Sequence, residues 1–335
     1  MNLRYEITPQ IKDYDLIGES FRPHLMRFDN PNKNFRSVST NEHGFRNSID
    51  MNGNVIDHSK IFSDPNNSFS IMLGSSSVFG VGATSDAASM PSLLSKLRSE
   101  NWLNFGGRAY NSTQELILLS LHLHAKPNKI IIFSGVNNLT LAYLSEKTSD
   151  IYNSFFGESS FRNALSTTQN KKIGVRRSFL NLMDEIYTKF HPHRNMIVTR
   201  TNKDISSDYN NILKCFQRDL FCAKAIADGH GSQITFVLQP LATWIDKKLS
   251  NEESRLFEFL DSLNNDWKVL SEYLGLWKDR YFEDIERICT NLGVTFINLN
   301  CEEFRSSDWL FVDRVHLTDN GYKLAANLIK DKIHS

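Results

Sequence analysis

Three serines follow a short apolar segment in the first third of the chain. The segment Phe69–Gly74 is apolar and ends in glycine, and Ser75, Ser76 and Ser77 come directly after it. A run of this kind predicts a buried strand of a parallel sheet. Ligands in open α/β sheets bind at the carboxyl ends of the strands, where a serine hydroxyl can act as a nucleophile if a base removes its proton. Ser76 is therefore the candidate nucleophile, with Ser75 and Ser77 as rivals.

A candidate base lies close to the end of the chain. His316 stands three residues after Asp313, just before a helix predicted from about Asp319 to Ile333. Histidine is a frequent general base, and a nearby carboxylate can orient the ring and favour one tautomer. We therefore expect His316 to be the base and Asp313 to orient it. The alternative is that this segment only begins the helix, with Thr318 or Asp319 as its cap.

Two further residues are placed to hold negative charge. Gly106 follows the predicted strand Trp102–Phe105, and Asn137 follows the predicted strand Lys129–Phe133. An ester under attack develops a negative oxygen that needs hydrogen-bond donors. The N–H of Gly106 and the carboxamide of Asn137 are the candidate donors at the same sheet edge as Ser76. Both residues are also common in turns, so an ordinary turn role stays open.

The elements around these residues alternate between strands and helices. Apolar runs suited to strands are separated by segments with a helical period, and this order predicts a mostly parallel sheet with helices on both faces. Besides the strands named above, the expected elements are helices at Ala88–Glu100, Thr113–Ala125, Asn211–Asp228 and within 251–291, and strands at Gln233–Leu238 and Val294–Ile297.

Two parts of the chain depart from this alternation. Residues 1–65 are rich in Asn, Asp, Pro and Arg, which predicts an irregular N-terminal extension packed on a main domain that covers 66–335. Residues of about 140–208 are interpreted as a helical insertion, and whether it forms a lid over the site stays open. Its basic stretch Lys171–Arg177 is either a solvated surface or a contact for an anionic group on a substrate.

Composition excludes several classes of function. The chain has 335 residues, of which 40% are hydrophobic, and its 38 Lys and Arg balance 38 Asp and Glu. Since no basic stripe stands out, nucleic acid is not an expected partner. The first residues lack the apolar core of a secretion signal, and no run reaches the roughly 18 apolar residues of a membrane span. We therefore expect a cytoplasmic protein without a transmembrane segment.

No metal or cofactor is expected. Cys215, Cys222, Cys289 and Cys301 lack the paired spacing of a zinc site, so they are interpreted as free structural thiols. His122 and His124 stand two apart on a predicted helix and would point in different directions. The pair His191 and His193 has no carboxylate or thiol nearby.

The candidate residues, taken in order, resemble the four sequence blocks of the SGNH/GDSL hydrolase superfamily. The resemblance runs from about Phe69 to Ile333 and implies a flavodoxin-like three-layer α/β/α sandwich. It implies that Ser76 is the nucleophile, that Gly106 and Asn137 join the Ser76 N–H in an oxyanion hole, and that His316 is the base oriented by Asp313. The matching segments are Gly74-Ser75-Ser76 with Gly80, Asn104-Phe105-Gly106, Gly135-Val136-Asn137-Asn138 and Asp313-Arg314-Val315-His316.

The chain departs from the superfamily pattern at two positions. Ser75 replaces the Asp of the Gly-Asp-Ser block, and Asn138 replaces the Asp that commonly follows the Asn of the third block. Neither change removes a group that does the proposed chemistry. Both remove a carboxylate, which accepts hydrogen bonds more strongly than a hydroxyl or an amide. We therefore expect weaker hydrogen bonding around the turn Ser75–Ser77, here called the nucleophile turn.

A looser resemblance concerns the substrate. The stretches Asn41–Arg46 and Leu238–Pro240 resemble bacterial SGNH-like proteins of surface-polysaccharide or other glycoconjugate pathways, which implies an acylated sugar as substrate. The leading hypothesis is thus a serine-dependent ester hydrolase or O-acyltransferase. The alternatives are a decayed enzyme that serves as a glycan-binding or scaffold module, and a thioesterase or deacetylase that uses the same site. Acyl length, sugar identity and oligomeric state stay open.

Overall fold

The computed structural model describes residues 3–64, 67–122, 126–145, 149–158, 205–263 and 266–333. Two groups of elements make up this part of the chain: a small N-terminal hairpin with three short helices, and a larger α/β unit. The strands are β1 (Glu19–Arg22), β2 (Met26–Asp29), β3 (Phe69–Gly74), β4 (Asn101–Gly106), β5 (Lys129–Ser134), β6 (Gln233–Leu238) and β7 (Thr295–Asn298). The helices are α1 (Leu3–Ile7), α2 (Ile11–Leu16), α3 (His58–Ser63), α4 (Ser76–Phe79), α5 (Met90–Arg98), α6 (Ser112–Ser120), α7 (Val136–Leu144), α8 (Ile205–His230), α9 (Asn251–Leu263), α10 (Asp266–Asn291) and α11 (Asp319–Lys330).

The larger unit is built on a five-stranded sheet in the order β4-β3-β5-β6-β7. Every neighbouring pair in it is parallel. Counted along the sheet's own strands, this is the order 2-1-3-4-5 of flavodoxin-like folds, which switches direction between β3 and β5. The predicted fold class is therefore confirmed. The interior strand β3 is buried along its whole length, as its unbroken apolar run predicts.

Helices cover both faces of the sheet. Side chains alternate along each strand, so Ile71 and Leu73 enter one core while Met72 enters the other. The first core also contains residues of α6, α8 and α10, and the second contains residues of α5, α9 and α11. The expected three-layer sandwich is thus present, with one apolar core on each face of the sheet.

Strand register brings the carboxyl ends of the strands to one edge. Gly74 at the end of β3 pairs with Gly106 of β4 and with Phe133 of β5. On the other side, Ser134 pairs with Leu238, which in turn pairs with Asn298. The loops that leave these strands therefore begin side by side. Residues far apart in the sequence can meet there without any long loop.

Element boundaries agree with the predicted pattern, with one clear extension. The helix expected to begin at Asn211 begins at Ile205 in the structure, because polar residues at its start carry no apolar signal. The predicted insertion at 140–208 is only partly described, because residues 146–148 and 159–204 lie outside the described residues. The basic stretch Lys171–Arg177 is among the residues that are not described. Among the helices that are described, none combines the length and apolar character that a membrane span requires.

The N-terminal residues pack against β4 through an aromatic cluster. The Phe45 ring lies 4.8 Å from the Phe105 ring, and the His58 ring is stacked on Phe105 at 6.2 Å. His58 is 3% exposed, and neither of its ring nitrogens has a hydrogen-bond partner among the described residues. Burial lowers the pKa of His58 to about 4. The imidazole is therefore neutral in the folded protein at neutral pH.

Because the folded-state pKa of His58 lies below its unfolded value of 6.5, acid favours the unfolded chain. This contribution to stability is complete above about pH 6.5 and is lost as pH falls towards 4. The variant His58→Phe keeps an aromatic ring in the cluster but has no group to protonate. When the pH is lowered from about 7.5 to about 5, we expect the free energy of unfolding to fall by roughly 2 kcal/mol more in wild type than in this variant. Urea unfolding of both proteins at the two pH values measures this difference, and equal losses would contradict it.

Candidate active site

Ser76 lies at the turn between β3 and α4. Ser75 precedes the helix in extended conformation and Ser76 is its first residue, so the chain reverses direction at the sheet edge. Ser76 is half-buried, whereas Ser75 and Ser77 are each 1% exposed and point into the protein. Of the three serines that could have been the nucleophile, only Ser76 contacts the candidate base.

His316 bridges Ser76 and Asp313. Its Nε2 lies 2.8 Å from the Ser76 Oγ, and its Nδ1 lies 2.8 Å from an oxygen of Asp313. A carboxylate can only accept, so Nδ1 carries the proton and donates to Asp313. The lone pair of Nε2 then faces the Ser76 hydroxyl, which donates to it. This tautomer is the one that a general base acting on Ser76 requires.

Asp313 is held as a carboxylate by its hydrogen bonds. One oxygen accepts from the His316 ring, and the other accepts from the backbone N–H groups of Val315 and His316, each at 2.8 Å. Burial on its own would raise the pKa of Asp313. The charge and hydrogen bonds of His316 together with the two backbone bonds outweigh it, so this pKa lies well below its usual range. Asp313 is therefore ionised in the folded protein at neutral pH.

Buried charges hold the loop that carries His316. Glu253 of α9 accepts from the backbone N–H groups of Leu310 and Phe311 at 3.0 Å each, and Lys247 neutralises it at 2.7 Å with both side chains fully buried. Arg314 forms a two-pronged ion pair with Asp261 of α9, with both distances at 2.8 Å. The loop is thus anchored on either side of Asp313.

Asn137 lies at the start of α7, directly after β5. Its side-chain amide donates to the carbonyl of Tyr110 at 2.7 Å, which uses one of its two N–H donors. The preceding Gly135 carbonyl accepts from the buried Tyr281 hydroxyl at 2.7 Å. Asn137 is half-buried. Among the described residues its second N–H has no acceptor, so this group can bind a ligand at the same edge of the sheet.

The expectation for Gly106 needs correction. Its N–H already donates to the Asn104 side chain at 2.9 Å, so this group is not free to stabilise an oxyanion. Gly106 serves packing instead, because a Cβ there would lie 2.2 Å from the backbone nitrogen of Phe79 in α4. The small residue lets β4 approach closely to α4, the helix that begins at Ser76 and is here called the nucleophile helix.

A donor that the sequence did not reveal lies three residues further on. Residues 107–110 form a turn closed by the Tyr110 N–H on the Gly107 carbonyl, and Ala109 takes a positive φ of 62° in it. This turn lies between the end of β3 and the start of α7, since the Gly107 N–H donates to the Gly74 carbonyl and the Tyr110 carbonyl accepts from Asn137. Among the described residues, the N–H groups of Ala109 and Ser76 have no acceptor. An alanine carries no sequence signal for this conformation.

Two amide side chains bond the serines around the candidate site. Gln239, 1% exposed at the end of β6, accepts from the Ser75 hydroxyl at 3.4 Å and donates to the Ser77 hydroxyl at 3.2 Å. Asn138 accepts from the Ser112 N–H at 3.1 Å and donates to its hydroxyl at 2.8 Å. Support of the nucleophile turn therefore comes from an amide, in contacts longer than a carboxylate would make.

No cluster of three His, Cys, Asp or Glu side chains that could bind a metal occurs in the described ranges. His122 bonds the Leu118 carbonyl through Nδ1, while His124, His191 and His193 lie outside the described residues. The four cysteines are free thiols. The chemistry available at this edge is thus a histidine-activated serine with backbone and amide donors beside it.

Removing the Gln239 amide should slow the reaction of Ser76 with a fluorophosphonate, a reagent that traps activated serines. Gln239→Met leaves the buried Ser75 and Ser77 hydroxyls without a partner, so the nucleophile turn loses its support. We expect about tenfold slower labelling of folded protein, since misplacement of reacting groups by fractions of an ångström has effects of this order. Labelling is measured by peptide mass mapping over time.

Ser95→Ala is the matched control for Gln239→Met. It removes a buried hydrogen bond to the Trp102 N–H at the opposite end of the sheet and leaves the nucleophile turn intact. Ser76 should react at the wild-type rate in this variant. Wild-type reactivity in Gln239→Met as well would show that Gln239 does not support the turn.

Comparison with known proteins finds similarity only at the level of structures. No family model matches the chain, and no curated protein matches it. An acetyl xylan esterase is 11% identical, with 79% of this chain and 99% of that chain covered and a TM-score of 0.40. An extracellular lipase from Streptomyces rimosus is 13% identical, covering 79% and 100%, with a TM-score of 0.41. A GDSL-like lipase from Bacteroides thetaiotaomicron is 12% identical, covering 82% and 93%, with a TM-score of 0.37. At these identities and scores, the activity of this chain is inferred from its own residues.

Proposed function

We propose that this protein is a serine-dependent carboxylic ester hydrolase or O-acyltransferase. The observation that carries the proposal is the continuous chain of contacts from Ser76 through His316 to Asp313, at 2.8 Å in each link. Ser76 precedes His316 by 240 residues in the sequence, and a packing role alone would not require this order of groups. An arrangement of nucleophile, base and orienting carboxylate is the one that acyl transfer needs.

The reaction begins with proton transfer from Ser76 to His316. As the Ser76 Oγ attacks the ester carbonyl, the His316 Nε2 takes its proton, and Asp313 stabilises the imidazolium that forms. The carbonyl oxygen becomes an oxyanion. Its donors are the N–H groups of Ser76 and Ala109 and the free amide hydrogen of Asn137, which lie around the same edge of the sheet.

Collapse of the tetrahedral intermediate breaks the bond to the leaving alcohol. His316 gives its proton to this alcohol, and the acyl group remains on the Ser76 Oγ as an ester. A second acceptor, activated in turn by His316, then removes the acyl group. Water as acceptor yields a carboxylic acid, and a sugar hydroxyl yields a new ester, so one site serves both outcomes.

The substrate class we propose is an acylated sugar or glycoconjugate. Its support is the looser sequence resemblance of Asn41–Arg46 and Leu238–Pro240 to proteins of glycoconjugate pathways. Product analysis with an acetylated sugar, in the presence and absence of a second sugar as acceptor, separates hydrolysis from transfer. Free acetate in both reactions would favour the esterase, and acetylated acceptor would favour the transferase.

The first test is fluorophosphonate labelling of the folded wild-type protein. We expect the label on Ser76, and its loss in Ser76→Ala and His316→Ala, because the hydroxyl reacts only when the base accepts its proton. Hydrolysis of a small acetyl ester should be lost in the same two variants. Folded wild-type protein that neither labels nor turns over the ester would instead support the decayed glycan-binding or scaffold module.

Replacing Asp313 by Asn should lower ester turnover by about 10³-fold or more while the fold persists. An amide in place of the carboxylate no longer stabilises the imidazolium and can favour the wrong tautomer of His316. Steady-state hydrolysis of the same acetyl ester measures this loss. Asp308→Asn is the control, because Asp308 is exposed in the preceding loop and should be neutral. A fully active Asp313→Asn variant would remove Asp313 from the mechanism.

A further inference from the structure

The stretch Asn41–Arg46, which the catalytic contacts leave without a role, ends in a fully buried guanidinium. The Arg46 side chain is 0% exposed. The N–H groups of this guanidinium donate to six oxygen atoms at 2.8–2.9 Å. The acceptors are Asp86 Oδ1, the Tyr14 hydroxyl and the carbonyls of Ser37, Phe79, Gly80 and Ser85.

Two of these acceptors terminate the nucleophile helix. Phe79 is the last residue of α4 and Gly80 caps it with a positive φ of 87°, so neither carbonyl bonds within the helix. Arg46 donates to both. The Gly80 carbonyl also accepts from the Ala83 N–H at 3.1 Å. A Cβ on Gly80 would lie 2.5 Å from the Arg46 Nη1, so the glycine and the guanidinium fit each other.

The end of α4 at Phe79 and Gly80, here called the cap, is also bonded directly to Ser76. The N–H groups of Gly80 and Val81 both donate to the Ser76 carbonyl, at 2.9 and 3.0 Å. The path from Arg46 to the nucleophile is therefore short: guanidinium to the Gly80 carbonyl, and Gly80 amide to the Ser76 carbonyl. A one-turn helix has few hydrogen bonds of its own to resist displacement.

The rest of the stretch keeps Arg46 in place. The Asn41 side chain accepts from the N–H groups of His43 and Phe45 at 3.0 Å, which forms a tight turn. Phe45 is 3% exposed and packs on Phe105. Asp86 supplies the opposite charge and is itself bonded to the Ser39 N–H at 3.2 Å.

We propose that Arg46 is a positioning residue for the nucleophile, holding the carboxyl end of α4 so that the Ser76 hydroxyl stays within reach of His316. This inference rests on the proposed role of Ser76 as nucleophile. Arg46 touches no substrate, so its loss should lower kcat and leave KM for a small ester unchanged. The N-terminal residues are thus part of the catalytic apparatus rather than a covering of the main domain.

The test compares Arg46→Met with Arg98→Met. Arg98 also donates to backbone carbonyls, those of Lys330 and Ile333, but it lies at the end of α5, at the opposite edge of the sheet. Both variants are expected to lower Tm. Only Arg46→Met should slow fluorophosphonate labelling of Ser76 in the folded fraction, by tenfold to about 100-fold, since misplacement by an ångström has effects of this size.

Amide hydrogen exchange supplies a readout that does not depend on activity. In Arg46→Met the amides of residues 78–81 should exchange at least tenfold faster than in wild type, while in Arg98→Met they should not change. Wild-type labelling together with unchanged exchange in Arg46→Met would overturn the proposal. If the wild-type protein itself fails to label, the proposed function falls, and the exchange result alone decides whether Arg46 holds α4.

Tyr14→Phe keeps the test decisive if Arg46→Met does not fold. The Tyr14 hydroxyl accepts from Arg46 and shares its one hydrogen between the carbonyls of Gly80 and Ala83, which lie 2.7 and 2.8 Å away. Its removal therefore loosens the same helix end while the charge pair of Arg46 and Asp86 remains. We expect labelling of Ser76 about threefold slower or more, with faster exchange at residues 78–81. A folded Tyr14→Phe variant with wild-type values for both would overturn the proposal.

Discussion

Five parallel strands must all end at the same edge of the sheet, and this constraint places Ser76, Asn137 and Gln239 along one edge. Parallel strands need a crossover after each strand, so the segment that leaves a strand at its carboxyl end is always the start of a loop or helix. Ser76, Asn137 and Gln239 each follow such a strand end within three residues. The register then sets how far apart they lie, and the switch in direction between β3 and β5 opens the space between their loops.

Buried charge holds the loops at this edge in a defined geometry. Lys247 and Glu253 are both fully buried, and Glu253 binds the backbone before Asp313. Arg46, paired with Asp86, binds the backbone after Ser76. A buried charged group is costly unless it is paired and hydrogen-bonded, so each pair requires its backbone acceptors and donors at fixed positions. The nucleophile and the base therefore approach each other from two loops that are each held independently of substrate.

The nucleophile turn shows how a neutral side chain can take a place where a carboxylate is common. Gln239 offers both an acceptor and a donor, so it can bond two hydroxyls at once, which suits a turn with Ser75 and Ser77 on either side of Ser76. A carboxylate at position 75 would add a buried negative charge. The serine avoids this charge, at the cost of longer and weaker contacts.

The sequence by itself determined the fold class and indicated the candidate catalytic groups. Unbroken apolar runs followed by helical periods are sufficient to predict a parallel sheet, because burial on both faces leaves no other pattern for its strands. The positions of Ser76, Asn137, Asp313 and His316 followed from their places after strands or before the last helix. Which of three adjacent serines meets His316 depended on the direction of each side chain in the turn, and only the tertiary structure decided it.

The structure also decided the backbone donors and the supporting charges. Whether the N–H of Gly106 is free depends on the Asn104 side chain beside it. The positive φ of Ala109 depends on the turn at residues 107–110, whose Tyr110 carbonyl accepts from the Asn137 side chain. Neither is a property of residue type. The role of Arg46 depends on contacts with residues up to 40 positions away, which packing brings together and no local pattern records.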